Sequence, residues 1–219
     1  MKKVLVSILA IAMVLPWSHP AAGQAGSSLN DQLIEAATNG DMAAVQQLLN
    51  KGANIEAKSN IRQTALIAAA YADKTDVVKL LLDKGANTEA QDYDGRTALI
   101  AAAGQGNSEV VKLLSEKGAN IEAKNDDGLT ALIVAALDGQ TEVVRLLLEK
   151  GANIDAKDNY SQTALTMAAL AGETDVVKLL LDKGANIEVR DSDGDTALTA
   201  ARKAGNTDIV NLLLAHGAQ

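Results

Sequence analysis

The chain has 219 residues, of which 47% are hydrophobic, 22% are charged and 2% are aromatic, and its formal net charge is −8. This apolar fraction excludes wholesale disorder, and the absence of Cys excludes disulfides, thiol catalysis and thiolate metal sites. The acidic excess opposes binding to nucleic acid and to anionic lipid surfaces.

Residues 1–25 have the three parts of a secretory signal peptide. A Lys-Lys pair follows Met1, residues 4–15 are mostly apolar, and small residues come next. Cleavage at residues 21–23 or at residues 23–25 fits the small-residue rule. The apolar run is shorter than the roughly 20 residues that span a bilayer, so an uncleaved anchor is the weaker alternative. We predict cleavage and export, in the manner of a bacterial signal peptide, to the periplasm or the extracellular space.

A strict period of 33 residues organises the rest of the chain. The dipeptide Gly-Ala recurs six times and the tripeptide Thr-Ala-Leu five times, always in the same register. Each repeat is therefore one supersecondary unit that buries its apolar face against its neighbours. The Thr-Ala-Leu motifs begin at Thr64, Thr97, Thr130, Thr163 and Thr196.

The third repeat shows the helices that the pattern predicts. Thr97 suits a helix N-cap, and residues 98–103 are good helix formers with little bulk. Two glycines within residues 104–106 end this helix. The apolar spacing of residues 110–114 predicts a second helix, and Gly118 supplies its left-handed C-terminal stop. Asn107 or Ser108 is expected to cap the second helix.

The segment from Asp92 to Gly106 follows the pattern D-x-x-G-x-T-P-L-H-x-A-A-x-x-G, except at its Pro and His. On these residues the unit resembles the ankyrin repeat, and the resemblance extends from about Leu29 to the C-terminus. It implies an all-α solenoid of stacked helix-turn-helix units with β-turn loops. The predicted repeat domain covers residues 26–219, with repeats at about 28–60, 61–93, 94–126, 127–159, 160–192 and 193–219.

Some repeats lack residues that the family pattern contains. Ala replaces Pro in all five motifs, and Ile or Thr replaces the His that ties the turn to the helix in the family. Arg62 and Ser161 stand where other repeats have a turn glycine, and Asp73 replaces the glycine between the helices. Since the second repeat contains two of these three replacements, we predict that it is less stable than its neighbours.

The first and last repeats have the polar character of terminal caps. Asp31 takes the place of the motif Thr in the first repeat. Arg202 and Lys203 replace apolar or small residues in the last repeat.

No motif indicates catalysis or metal binding. After cleavage the only His is His216, which suits the C-terminal end of a helix dipole. Residues 191–195 resemble the start of a calcium loop, but Thr196 and Arg202 stand where Gly and Glu are needed. We predict no catalytic residue, cofactor or metal, and an enzyme is the weakest alternative.

Carboxylates also recur with the period. A catalytic pair needs two carboxyl groups in different environments, so we interpret this series as a solvated ladder. Its members are Glu56, Glu89, Glu122, Asp155 and Glu188.

The family resemblance implies a non-enzymatic module that binds a partner protein through its concave face and turn tips. The alternative is an inhibitor, immunity-type or protective partner of one envelope or secreted enzyme. We expect a monomer with a protein partner, no nucleic acid and, after signal cleavage, no membrane.

In the family, partner contacts come from turn residues before the motif Thr and from two positions after the Ala pair of the first helix. All three Tyr of the chain fall at these positions, and Tyr buries a large ring at low entropic cost. The apolar residues there are expected to be exposed on an acidic face, which favours contact. The predicted site consists of Ile61, Gln63, Tyr71, Tyr93, Arg96, Gln105, Leu129, Leu137, Asp138, Tyr160, Gln162 and Leu170.

Overall fold

The computed structural model describes residues 28–219, so the predicted signal peptide lies outside the described residues. This part of the chain forms twelve α-helices and no β-strand. The helices are α1 (Leu29–Asn39), α2 (Met42–Asn50), α3 (Ala65–Tyr71), α4 (Thr75–Asp83), α5 (Ala98–Gln105), α6 (Ser108–Glu116), α7 (Ala131–Leu137), α8 (Thr141–Glu149), α9 (Ala164–Ala171), α10 (Thr174–Asp182), α11 (Ala197–Ala204) and α12 (Thr207–Ala215).

The helices form six consecutive pairs that stack in two layers. The first helix of each pair packs against the first helices of the adjacent pairs and against its own second helix. The second helices pack against one another in the same order. One hydrophobic core extends through all six pairs, from Leu33 to Ala218. The structure confirms the predicted all-α solenoid of stacked helix-turn-helix units.

The first helices of the four inner repeats are short, and nearly all of their residues are buried. All six residues from Ala98 to Ala103 of α5 are buried. The Thr97 hydroxyl accepts a hydrogen bond from the N–H of Ile100 at 3.4 Å, which confirms the predicted N-cap. Gly106 ends the helix in a left-handed conformation. Small side chains therefore let the first helices of adjacent repeats approach closely.

The second helices bury only one stripe. In α6 the buried residues are Val110, Val111 and Leu114, and Leu113, the fourth apolar residue of the predicted stripe, is half-buried. Asn107 is the N-cap residue, but its side chain does not cap the helix. Its amide instead donates hydrogen bonds to the carbonyl oxygens of Ala70 at 2.9 Å and Tyr71 at 3.1 Å. The prediction of side-chain capping was wrong because the end of α3 offers this amide unpaired carbonyl groups.

The periodic carboxylates join successive repeats. Glu56 Oε1 accepts a hydrogen bond from the backbone N–H of Asn87 at 2.8 Å, and Glu89 accepts the equivalent bond from Asn120 at 3.0 Å. Glu122, Asp155 and Glu188 make the same contact with Asn153, Asn186 and Gln219. These carboxylates are exposed or half-buried, as the interpretation of a solvated ladder expects. Each also satisfies a backbone donor of the next repeat, which the sequence did not reveal.

The terminal repeats differ locally from the prediction. Helix α1 begins three residues earlier than the repeat register predicts, because Ser28 is its N-cap. Asp31, expected at the cap position, completes a capping box by accepting a hydrogen bond from the Ser28 backbone N–H at 3.2 Å. At the other end, His216 is the C-cap of α12, and its Nδ1 lies 2.8 Å from the carbonyl oxygen of Leu212.

Candidate protein-binding surface

Each turn before a first helix is closed by one polar side chain. In the turn before α5, Asp92 Oδ1 accepts hydrogen bonds from the backbone N–H groups of Asp94 at 3.0 Å and Arg96 at 2.9 Å. The Asp92 backbone N–H donates to the Arg96 carbonyl oxygen at 3.1 Å. The same paired bonds form at the equivalent residues Asn125, Asp158 and Asp191. Residues 191–195 are therefore a repeat turn.

The tips of these turns are bonded to one another along the stack. The backbone N–H of Tyr93 donates to the carbonyl oxygen of Ile61 at 3.0 Å, and that of Ser192 donates to Tyr160 at 2.8 Å. The two intervening tips are joined in the same way. Side chains at the tips therefore extend from a backbone whose conformation is already fixed.

The turn tips and the C-terminal ends of the first helices share one face. Lys203, at the end of α11, forms an ion pair with Asp195 of the preceding turn. Partial burial raises the pKa of Tyr71, at the end of α3, and the positive charge of Arg96 opposes that rise. We call this face the turn surface. It comprises residues 60–63, 93–96, 126–129, 159–162 and 192–195 with the helix-end positions 71–72, 104–105, 137–138, 170–171 and 203–204.

Five predicted site residues are exposed on the turn surface. The exposed fraction is 71% for Tyr93, 46% for Tyr160 and 38% for Ile61. Gln105 and Asp138 are exposed at the ends of first helices. Two of the exposed residues are thus tyrosines on the bonded tips.

Three further predicted residues are half-buried. Tyr71 packs against the hydrophobic core, and Leu170 is partly covered at the end of α9. Arg96 forms ion pairs with Asp92 at 2.9 Å and Asp94 at 3.2 Å. Its guanidinium is therefore engaged within its own turn.

Four predicted site residues are buried, namely Gln63, Leu129, Leu137 and Gln162. The expectation that Leu129 and Leu137 are exposed apolar side chains was wrong, because both pack into the core. The position before the motif Thr faces the next turn, where Gln162 Nε2 lies 3.5 Å from Asp191 Oδ2. Within the described residues, Gln63 Oε1 is buried with no hydrogen-bond partner.

A carboxylate that sequence reasoning missed lies beside Asp138. The Glu173 side chain covers Gly139, so closely that a methyl group there would overlap its carboxylate. Partial desolvation of its carboxylate and the Glu173 charge raise the pKa of Asp138 to about 6. The available signal was Glu173 at a position where the third, fourth and sixth repeats have Asn or Gln, but its contact with a residue 35 positions earlier was not apparent.

The buried turn residue Asp158 is also perturbed. Burial raises its pKa, while hydrogen bonds from the backbone of Gln162 and Tyr160 lower it. The charges of Asp127 and Asp191 add to the rise. The turns of the fourth, fifth and sixth repeats are therefore electrostatically coupled.

Within residues 28–219, no group of three or more His, Cys, Asp or Glu side chains is placed to hold a metal ion. In the same part of the chain, no helix has both the length and the apolar character that a membrane span requires.

The family model for ankyrin repeats matches residues 33–125, 122–191 and 155–219, so the chain belongs to the ankyrin-repeat family. Repeats of this family generally mediate protein–protein interaction, and proteins built from them are typically non-enzymatic. No curated protein matches the chain.

Proposed function

We propose that this protein is an exported, non-enzymatic binding module that recognises a partner protein through its turn surface. The observation that carries the proposal is the exposure of Tyr93 and Tyr160 on turn tips that are hydrogen-bonded into one row. Tyr is enriched at binding hot spots because its ring buries a large area and its hydroxyl still forms a hydrogen bond.

The bonded tips reduce the entropic cost of recognition. Ordering a flexible loop on binding opposes association, whereas a pre-organised surface loses less freedom. Each tip is held by its turn residue and by the preceding tip, so the backbone under Tyr93 and Tyr160 is fixed before a partner arrives. This arrangement supports recognition across several repeats at once.

Eight predicted residues remain available for direct side-chain contact after the buried four are set aside. The partner-contacting set that we propose is Ile61, Tyr71, Tyr93, Arg96, Gln105, Asp138, Tyr160 and Leu170.

The test compares two double variants in a cross-linked pull-down from the native envelope fraction. Tyr93→Ala with Tyr160→Ala should weaken binding of the recovered partner by about 10- to 100-fold, as expected for hot-spot residues. Met42→Ala with Leu214→Ala is the matched control, because these side chains are also exposed but lie outside the turn surface. If both variants bound equally well, the turn surface would not be the binding site.

Export is the second element of the proposal and has its own test. The charged start, short apolar run and small residues of the N-terminus support it. N-terminal sequencing of protein from the periplasm or the medium should find a start between about residues 18 and 28. Intact Met1 in the membrane fraction would contradict cleavage.

A tight complex with one envelope or secreted enzyme is the narrower form of this function. It would give a single abundant cross-linked partner whose activity falls on binding.

A further inference from the structure

The acidic residues of the repeats are distributed unevenly between the two helix layers. Each of the second helices α4, α6, α8 and α10, counted with its C-cap Lys, has two acidic and two basic residues. The turns and first helices of the third to fifth repeats, residues 92–107, 125–140 and 158–173, contain seven acidic residues and one basic residue. The charge imbalance of these repeats is therefore concentrated in the layer that carries the turn surface.

Most of this negative charge has no counter-charge within the protein. Within the described residues, Asp126, Asp127 and Asp138 form no salt bridge. The one basic residue within residues 92–107, 125–140 and 158–173, Arg96, is paired with Asp92 and Asp94 of its own turn.

Asp138 and Glu173 show how the missing counter-charge affects an ionisable group on this surface. The pKa of Asp138 is raised because its carboxylate is partly desolvated and faces the Glu173 carboxylate instead of a cation. A positive group placed between them would favour the ionised form of Asp138.

Exposed tyrosine rings lie among the carboxylates that have no ion-pair partner within the described residues. Tyr93 precedes Asp94 at one tip, Asp126 and Asp127 form the next tip, and Tyr160 lies at the tip after that. The hydrogen bonds between tips hold these side chains in a fixed order. The surface thus alternates exposed aromatic rings with negative charge.

We propose that the turn surface binds a partner protein through a segment in which Lys or Arg residues flank aromatic or aliphatic side chains. This inference rests on the proposed function and adds the chemistry of the partner. Complementary charge steers association and suppresses partners of the same sign. A second copy of the chain that docked through the same surface does not satisfy the requirement, since it would place like charges opposite one another.

The test uses a phage-displayed library of random 12-residue peptides, selected against the purified protein. Enriched peptides should carry an excess of Lys and Arg together with aromatic or aliphatic residues. Their affinity should fall as salt concentration rises, because the contacts are exposed ion pairs.

Two variants with the same change in net charge locate the binding. Asp126→Asn, Asp127→Asn and Asp138→Asn together neutralise the turn surface, and Asn already occupies the position equivalent to Asp126 in the fifth repeat. Glu109→Gln, Glu149→Gln and Asp182→Asn neutralise three exposed carboxylates on second helices. The first variant should bind a selected basic peptide about tenfold more weakly, since each exposed pair contributes modestly. The second variant should keep the affinity of the unmodified protein.

Different experimental outcomes would contradict the basic-partner inference and the proposed binding function. Neutral or acidic peptides that bind the turn surface and lose affinity on Tyr93→Ala would overturn the basic-partner inference and leave the binding function intact. Equal binding of a basic peptide to both neutralised variants would overturn the inference as well, because net charge alone would then explain attraction. Selection of no peptide that depends on the turn surface would contradict both proposals.

Discussion

The second and third repeats place the same two positions in the left-handed backbone region, but only the third repeat has glycine at both. Gly95 and Gly106 have φ values of 74° and 77°, whereas Arg62 and Asp73 have φ values of 58° and 56° at the equivalent positions. A side chain in this region costs about 1–2 kcal/mol per residue. The second repeat therefore contains strain that the third avoids.

The comparison shows that the stack, and not glycine, determines the turn conformation. The C-terminal end of α3 in the second repeat receives two hydrogen bonds from Asn107 of the third repeat. The Ile61 carbonyl in the strained turn accepts a hydrogen bond from Tyr93. Contacts with the next repeat thus stabilise a backbone that Arg62 and Asp73 would not adopt by preference.

The largest change in stability is expected from a substitution at the turn glycine of the third repeat. In Gly95→Ala the added Cβ would lie 2.7 Å from the Asp126 backbone nitrogen and would overlap its carboxylate. Steric overlap adds to the left-handed backbone cost, so the free energy of unfolding should fall by about 2–4 kcal/mol. A denaturant titration followed by circular dichroism measures the change.

Gly194→Ala is the matched control for this substitution. Gly194 has a φ of 82°, but a Cβ there has no neighbour within 4 Å. In Gly194→Ala the free energy of unfolding should fall by only about 1 kcal/mol, the cost of placing a side chain in the left-handed backbone region. Equal losses at Gly95 and Gly194 would show that contact with the next turn is unimportant.

The second prediction concerns variants that remove the backbone strain of the second repeat. Arg62→Gly and Asp73→Gly should each raise the free energy of unfolding by about 0.5–1 kcal/mol, since the relieved strain exceeds the added chain entropy. Ala72→Gly is the control and should destabilise, because Ala72 has a φ of −84° that needs no glycine. Hydrogen exchange of α3 amides should slow in the first two variants. Unchanged exchange would refute the assignment of strain to this repeat.

The third prediction concerns the buried amide of the second repeat. Gln63→Leu removes an oxygen that has no hydrogen-bond partner within residues 28–219, and Leu129 already fills the equivalent position of the fourth repeat. Stability should rise by about 0.5–1 kcal/mol. Gln162→Leu should show no comparable gain because it loses a contact with Asp191. Thermal melts of the two variants give the comparison.

The smallest expected effect is the contribution of Asp138 to the pH dependence of the free energy of unfolding. Its raised pKa of about 6 means that the folded protein holds this proton more tightly than the unfolded chain does. The associated stability is present below about pH 4 and is lost as pH rises through 6. Asp138→Asn should remove this dependence, with a gain near neutral pH of about 0.5 kcal/mol because solvent screens the exposed side chain.

An NMR titration tests the cause of the Asp138 shift directly. Glu173→Gln removes the neighbouring charge, so the pKa of Asp138 should move down toward its ordinary value. No movement would mean that the Glu173 charge contributes nothing to the shift.

The sequence predicted the helices well because their determinants are local. Thr97 caps α5 through a hydrogen bond to a residue three positions away, and the apolar spacing of α6 defines its buried stripe. Exposure within the predicted site was less predictable. Tyr93 and Leu129 both belong to the same class of turn positions, yet one is exposed and the other is buried. The stacking of the turns determines which of these two side chains points toward the next repeat and which points toward solvent.

The 33-residue period by itself determined the fold, since a repeating pattern of caps, small residues and apolar stripes can bury its surface only by stacking. Only the tertiary structure decided the contacts between repeats. Glu56 with Asn87, Asn107 with Ala70, and Asp138 with Glu173 are separated by 31 to 37 residues. The angle and distance between stacked units determine which side chains meet, and no local sequence pattern specifies these quantities.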